Sequence, residues 1–320
     1  MKISFSHALV TGGAGFIGSH IVDALVESGC TVSVVDNLST GHLSNLSHLK
    51  DRIRFFEGDI RDGELLSKII PGCDIVFHEA AVVSVPQTVE APVESAMINE
   101  LGTLNILEAA RKNRVRRVVM ASSCAVYGND PRLPKHEGLS PAPESPYAVQ
   151  KLTGELYAGI YPGLYGLETV CLRYFNVYGP RQDPDSPYSG VISIFMTKAA
   201  SKQQPTIFGD GRQNRDFIFV KDVVKANLLA GSVDGVVGGV FNVGTGKSIS
   251  LNDLWENVCR VSGCSLEPAY APRRAGDIRE SVADIGKAES ALGFAPDYPF
   301  ERGLEPTYRW YRETLSRKIR

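Results

Sequence analysis

The sequence predicts an α/β fold: a doubly wound parallel sheet with helices on both faces and a smaller, interleaved C-terminal α/β domain. Three observations point there. Over the first 180 residues, short continuous apolar runs alternate with helical patterns, as strands buried on both faces do. After Tyr178-Gly179-Pro180 the texture changes, and residues 181–190 are rich in proline, aspartate and serine, the composition of a loop or domain transition. Beyond it, Val240-Phe241-Asn242-Val243-Gly244 reads as one more strand of the first sheet. One domain therefore covers 1–179 with a returning segment near 216–244, and the other covers 180–320.

The elements follow in order. Ala8-Leu9-Val10 is a strand. Residues 16–28 are helical, with Ile17, Ile21, Ala24 and Leu25 on one face and Gly29 as the stop. Thr31–Asp36, Ile53–Phe56, Ile75–Phe77, Val118–Met120 and Thr169–Leu172 read as further buried strands. Helical patterns near 62–70, 94–112 and 146–161 separate several of them. Ser145-Pro146 marks the start of the last, with serine as N-cap and proline as first helical residue.

A chain of 320 residues can bury a full core without disulfides or metals. A net charge of −2 argues against nucleic acid or an anionic membrane as the main partner. The densest basic run, Arg111 to Arg117, falls where a helix should end and reads as a solvated terminus that compensates the dipole. The N-terminus leads straight into a strand without a signal-peptide core, and no apolar run approaches the roughly 20 residues needed to span a bilayer. The six cysteines show no Cys-x-x-Cys spacing, which suits free thiols in a reducing cytoplasm. The histidines form no ligand pair at useful spacing, so no metal is assigned.

Two constellations carry chemistry. Thr11 to Gly18 has glycines at 12, 15 and 18, between a strand and an amphipathic helix. Such a turn lets backbone pass close to a pyrophosphate and offers helix N-terminal N–H groups to it, as in a Rossmann-type domain. Asp36 ends the next strand, where a carboxylate accepts from adenosine ribose hydroxyls and repels a 2′-phosphate; this favours NAD over NADP. Asp59-Ile60 follows the third strand, where an adenine edge would lie, or where a strand-end carboxylate would simply face solvent. The second constellation is Tyr147 and Lys151, one helical turn apart, with Ser123 upstream. A lysine ammonium beside a tyrosine favours the phenolate and is expected to draw it toward the working pH. Cys124, next to Ser123, reads as a small packed residue rather than a nucleophile.

With these residues placed, the chain resembles the extended short-chain dehydrogenase/reductases, specifically the NAD-dependent UDP-hexose 4-epimerase family. The resemblance runs over almost the full length, through TGGAGFIGSH, DNLSTG, GDIRD, HEAA, INELGTLNILEAA, SSCAVYG, SPYAVQK, RYFNVYGPRQ, GDGRQNRDFIFV, FNVGTG and RRAGDIRES. It implies that Phe16 and Ile17 cap the NAD pyrophosphate with Gly12, Gly15 and Gly18. Asp36, Asn37, Ser39 and Gly41 would hold the adenosine ribose, and Asp59 and Ile60 the adenine. Ala80 and Ala81 would line the cofactor path, Asn99 would touch the cofactor, and Phe175 would sit by the nicotinamide. Ser123, Tyr147 and Lys151 match the catalytic set, the last two also touching NAD. Asn176, Arg215 and Arg274 would bind the nucleotide-sugar diphosphate, and Asp277 the uridine ribose. Ser84 and Gln87 could offer hydrogen bonds to the sugar.

The resemblance implies a 4-keto sugar intermediate that turns over and is reduced from its other face. Related dehydratases place Asp-Glu after the catalytic threonine, and decarboxylases carry a glutamate there; Cys124 and Ala125 stand at those positions here. The fourth residue after the Gly-Asp of Arg274-Ala275-Gly276-Asp277 is Ser281. A tyrosine at that gate accompanies restriction to UDP-glucose and UDP-galactose, and a small residue accompanies use of N-acetylated sugars. The expectation is a UDP-N-acetylglucosamine/UDP-N-acetylgalactosamine 4-epimerase, closest to the UDP-N-acetylglucosamine 4-epimerases, that also takes the unacetylated pair. UDP-glucuronate 4-epimerase and a non-catalytic NAD-sensing protein are the rivals. A homodimer through helices near 94–112 and 146–161 is also implied.

Overall fold

The computed structural model describes residues 3–184, 190–273 and 279–318. Strand and helix alternate through β1 (His7–Thr11), α1 (Phe16–Glu27), β2 (Thr31–Asp36), β3 (Ile53–Glu57), α2 (Gly63–Ile69), β4 (Ile75–His78), α3 (Val85–Glu90), α4 (Pro92–Ala96), α5 (Thr103–Lys112), β5 (Arg117–Ser123), α6 (Pro146–Tyr165) and β6 (Glu168–Tyr174). Then come β7 (Asn176–Tyr178), α7 (Val191–Ala200), β8 (Thr206–Phe208), β9 (Asn214–Arg215), β10 (Phe217–Phe219), α8 (Val220–Ser232) and β11 (Gly239–Val243). The chain ends with β12 (Ile249–Ser250), α9 (Leu251–Ser262), β13 (Ala269–Ala271), β14 (Glu280–Ser281), α10 (Gly286–Leu292) and α11 (Phe300–Lys318).

Seven strands form one parallel sheet in the order β3-β2-β1-β4-β5-β6-β11. The Rossmann-type α/β fold is therefore present, and all seven apolar runs predicted as strands lie in this sheet. Alternate residues sort to opposite faces. Val10, Val34, Phe77 and Val119 pack with Ile21, Leu25 and Val223, whereas Leu9, Val35, Val76 and Val118 pack with Leu66, Ile106 and Leu107. The strand order reverses at β1, so the chain leaves β1 and β4 in opposite directions and opens a crevice at their carboxyl ends. A third cluster, with Phe195, Phe219, Trp255 and Tyr311, joins β10 to α7, α9 and α11.

Two helices differ from the predicted ones. The segment read as one helix over 94–112 is α4, a π-helical turn at Met97–Gly102 and then α5. The wider turn accommodates Asn99, whose amide is bound across the gap to Val82 and Gln150. Gly102 lets this turn pack closely on Ile60, whose side chain would stand 2.6 Å from a Cβ there and would have to move aside. α6 runs to Tyr165, through Pro162. Proline has no N–H for the carbonyl four residues back. That carbonyl, Ala158 O, instead accepts the Thr169 hydroxyl at 2.6 Å. The start of α6 is as read: Ser145 Oγ accepts the Ala148 N–H at 3.2 Å, and Pro146 follows it.

A buried ion pair sets α6 against the sheet. Arg173 of β6 donates to Glu155 of α6 through Nε at 2.9 Å and Nη2 at 2.7 Å. Ser122 of β5 donates to the same carboxylate, and the guanidinium lies 4.7 Å from the Tyr127 ring centre. Both charged side chains are 5% exposed. Removing one partner leaves the other charge buried and uncompensated. Glu155→Ala is expected to lower the unfolding free energy by about 3–5 kcal/mol, read from urea denaturation. A loss near about 1 kcal/mol, the range of an exposed pair, would show that water reaches Arg173.

Candidate active site

The crevice at the sheet's carboxyl edge holds a cavity of about 410 Å³. The turn between β1 and α1 forms its floor. Gly12 has φ +65°, and a Cβ on it would stand 2.8 Å from the Ala80 nitrogen. A Cβ on Gly18 would stand 2.2 Å from Gly12 O. Only glycine permits these two approaches. α1 starts at Phe16 with no side-chain cap and no acid in its first turn. Its leading N–H groups, which no helix can satisfy internally, sit at a wall formed by Gly15, Phe16, Ile17 and Gly18.

Asp36 closes β2 beside this turn. It accepts the Ala14 N–H at 2.9 Å and the Leu38 N–H at 2.8 Å. Burial still raises its pKa above the usual carboxylate value. Gly41 packs on the carboxylate, where a Cβ would stand 2.9 Å from both oxygens. Asp36, Asn37 and Ser39 line the cavity, and so do Asp59 and Ile60. Asp59 is held by Arg61 and by Asn37 Nδ2 at 3.0 Å. The Arg61 hydrogen bonds bring Asp59 down to about 2.

The opposite wall comes from the end of β4. Ala80 and Ala81 lie on it, backed by a buried chain of hydrogen bonds. Thr11 Oγ1 takes the Ala80 N–H at 3.2 Å and donates to His78 Nδ1 at 2.8 Å. His78 Nε2 donates to Thr103 Oγ1 at 3.0 Å, and Thr103 donates to Asn99 O at 2.6 Å. Burial takes His78 down to about 3, so it is neutral with its proton on Nε2. Asn99 stands behind this wall: both of its amide protons are used, on Val82 O and Gln150 Oε1.

Ser123, Tyr147, Lys151 and Phe175 converge on the same cavity. Burial pushes Tyr147 up to about 12, with a Ser123 hydrogen bond pulling it back. This differs from the expectation that Lys151 draws the phenol toward working pH. Lys151 Nζ is 5.9 Å from the Tyr147 ring centre and donates to Ala121 O at 2.9 Å. Burial outweighs its charge at that distance. The Cys124 thiol is pushed up to about 11 by burial and stays protonated.

Glu79 and Tyr174 were not singled out from the sequence, yet both line the cavity. Tyr174 donates its hydroxyl proton to Glu79 Oε1 at 2.8 Å and accepts from Asn227 Nδ2 at 2.7 Å. Burial raises Glu79 to about 7, and burial lowers Lys151 to about 8, with Glu79 the strongest charge holding it up. The available signal was a carboxylate at the end of an apolar strand, in phase with Ile75 and Phe77.

Apart from Ser123, the described candidates for the nucleotide sugar do not line this cavity. Ser84 caps α3 by accepting the Gln87 N–H at 3.1 Å, and Gln87 is exposed. Asn176 donates to Asp216 O at 2.9 Å, and Arg215 donates to Asn214 O at 2.8 Å. Ser281 is buried and pairs in register with Arg215 between β14 and β9. Arg274 and Asp277 lie outside the described residues.

The model of the NAD dependent epimerase/dehydratase family matches residues 8–244. The chain belongs to this family. A putative UDP-glucose 4-epimerase of Methanocaldococcus jannaschii is 45% identical over 306 residues, covering 95% of this chain and 98% of the relative. The crystal structure of Thermotoga maritima UDP-glucose 4-epimerase with UDP-glucose superposes with a TM-score of 0.92 at 41% identity, over 97% of this chain and 99% of that one. The UDP-N-acetylglucosamine 4-epimerase of Methanobrevibacter ruminantium in complex with UDP-N-acetylmuramic acid gives 0.93 at 41% identity, over 98% and 100%. The cofactor of this family member is NAD. The glycine cradle that a Cβ would fill, the uncapped start of α1 and the Asp36 carboxylate fit a dinucleotide.

Between about pH 7 and 8 both Glu79 and Lys151 carry charge. Cys171 and Glu155 also favour the ammonium, more weakly. Glu79→Gln removes the main support, so Lys151 should lose its proton at lower pH. The alkaline limb of the turnover profile is expected to move acidward. An unmoved limb would show that Glu79 does not act on Lys151.

Proposed function

We propose that this protein is a UDP-N-acetylglucosamine/UDP-N-acetylgalactosamine 4-epimerase that also turns over UDP-glucose and UDP-galactose. The observation that carries the epimerase reading is the meeting of Ser123, Tyr147 and Lys151 in the cavity that fits NAD. When bound, NAD supplies a hydride acceptor that is itself cationic. Tyr147 moves the proton of the sugar 4-OH, and Ser123 hydrogen-bonds that oxygen. Positive charge brought beside a buried phenol lowers its pKa, and Lys151 is the chain's own source. Cys124 and Ala125 stand after Ser123, where an acid would serve dehydration.

On this reading, residues 1–179 with the returning segment near 216–244 hold the cofactor, and residues 180–320 hold the nucleotide sugar. Arg215 and Arg274 grip the diphosphate with Asn176, Asp277 takes the uridine ribose, and the sugar is left free to turn. Ser281 supports the N-acetyl preference. It is a small side chain paired in register with Arg215, and it lacks the phenol ring that a tyrosine would place there. Ser84 is occupied as a helix cap, which favours sugar contacts from other residues.

The test is a panel of UDP-N-acetylglucosamine, UDP-glucose and UDP-glucuronate with epimers resolved. Wild type should epimerise the first two. Tyr147→Phe should retain NAD and lose about 10²–10⁴-fold in turnover. Ser281→Tyr should abolish N-acetyl turnover while sparing some UDP-glucose turnover. Turnover of UDP-glucuronate alone, or N-acetyl turnover indifferent to Ser281→Tyr, would defeat the assignment.

The same reading includes a homodimer. Val85, Val89, Val93, Met97 and Leu101 recur every four residues and are exposed, Val93 by 77%. Val149, Leu156, Ile160 and Leu164 form a matching exposed stripe on α6, which packs beside α3 and α4. Two such helical faces suit a second copy of the chain. The apolar face runs along 83–101 instead of 103–112, where Ile106, Leu107 and Ala110 belong to the core. Leu156→Glu combined with Ile160→Glu should halve the mass measured by light scattering. An unchanged mass, or a monomeric wild type, would remove this interface.

A further inference from the structure

We propose that Cys259 and Cys264 form a reversible thiol–disulfide modification site, oxidised by small disulfides of the glutathione type. The pair lies at the end of α9, and neither residue lines the cofactor cavity. Gly263 stops the helix at φ +71°, and its N–H donates to Cys259 O at 2.8 Å. In left-handed caps of this kind, the residue after the glycine commonly folds back against the last turn. Here both contacting positions are cysteine. Cys264 Sγ donates to Cys259 Sγ at 3.0 Å, about 1 Å beyond the bond the two atoms would form. The backbone around them is already set. Cys264 N–H donates to Ser262 Oγ, and that hydroxyl donates to Cys259 O, each at 3.3 Å. Trp255 Nε1 donates to Leu266 O at 2.8 Å and holds the outgoing chain.

Both thiols are free and partly exposed. Cys264 stands between exposed Gly263 and Ser265, so a small disulfide reaches it from solvent. Burial and the Cys264 thiol push Cys259 up to about 12, so it keeps its proton until a partner sulfur is in place. The order of events follows. Cys264 attacks one sulfur of oxidised glutathione, and the departing glutathione sulfur takes its proton. Cys259 then attacks Cys264 Sγ, and the second glutathione leaves with the Cys259 proton. Two protein thiols and one glutathione disulfide become one protein disulfide and two glutathione thiols. Among the described residues no group of three or more side chains could hold a metal ion, so the pair is not part of a metal site there. Cys30, Cys73 and Cys171 are buried, which leaves them out of reach of the same reagent. Closing the bond fastens the end of α9, which packs with Phe195 and Trp255, to the chain that leads into β13.

The test uses the full-length protein equilibrated with graded ratios of oxidised to reduced glutathione, alkylated under denaturing conditions and mapped by mass spectrometry. As the ratio rises, Cys259 and Cys264 should lose alkylation together, with their peptide lighter by two hydrogens, and dithiothreitol should restore both. Cys30, Cys73 and Cys171 should remain alkylated. Full alkylation of Cys259 and Cys264 throughout overturns the proposal. So does a glutathione adduct on either that persists in wild type. Cys259→Ser should accumulate glutathione on Cys264, because the second attack is lost; a bare Cys264 thiol in that variant overturns the order of attack. Hydrogen exchange over residues 262–266 should slow several-fold on oxidation of wild type. Unchanged exchange overturns the fastening of α9.

Discussion

The buried pairing of Glu155 with Arg173 is the constraint on which the site depends. Glu155 lies one helical turn beyond Lys151, Ser122 immediately precedes Ser123, and Arg173 immediately precedes Tyr174. A single carboxylate therefore fixes α6, β5 and β6 at the point where each delivers a residue to the cavity. Two charges inside the protein hold such a geometry only with close partners, and here the Ser122 hydroxyl and the Tyr127 ring add to the pair, while Arg173 Nη1 is buried without a hydrogen-bond partner among the described residues. Stability and chemistry are joined at this pair, since loosening it displaces Lys151, Ser123 and Tyr174 together.

A second buried carboxylate does the same for the other half of the molecule. Asp216 accepts from Thr245 N and Oγ1, from Gly246 N and from Ala283 N. Burial raises its pKa despite those donors. It ties β9 and β10 to the loop after β11 and to the segment after β14. Arg215 and Ser281 owe their adjacency to it and to the β9–β14 pairing. The chain returns to the large sheet through β11, so the region carrying these residues is braced against the cofactor cavity instead of being hung from one linker.

The cavity also concentrates titratable groups whose environments push them in opposite directions. Glu79 rises, Lys151 falls and Tyr147 rises, all chiefly because charge is costly where water is excluded. The phenol therefore depends on positive charge being brought near it, and the lysine on a carboxylate that no helix-face pattern links to it. Ionisation in this site is a property of the group, shared through a small volume, more than of any one side chain.

Sequence alone determined the strands, because continuous apolar runs have few alternatives to burial in a parallel sheet, and it determined the glycine turn, Asp36 and the Ser145-Pro146 start of α6, because each is set by local backbone chemistry. Those features were legible in residues and spacing. The family motifs added Ser123, Tyr147 and Lys151, which the fold brings to one cavity. Tertiary structure decided what depends on distant partners. Pro162 continues a helix because Thr169, from the next strand, serves the freed carbonyl. Asn99 is drawn behind the wall by Val82 and Gln150. Glu79 meets Tyr174, 95 residues away, only when β4 and β6 lie in one sheet. Arg181 reaches α1 only when the turn after β7 folds back on it. Local patterning encodes which segments are buried and how they start and stop; the energies of buried charge and hydrogen bonding between distant segments settle which side chains meet.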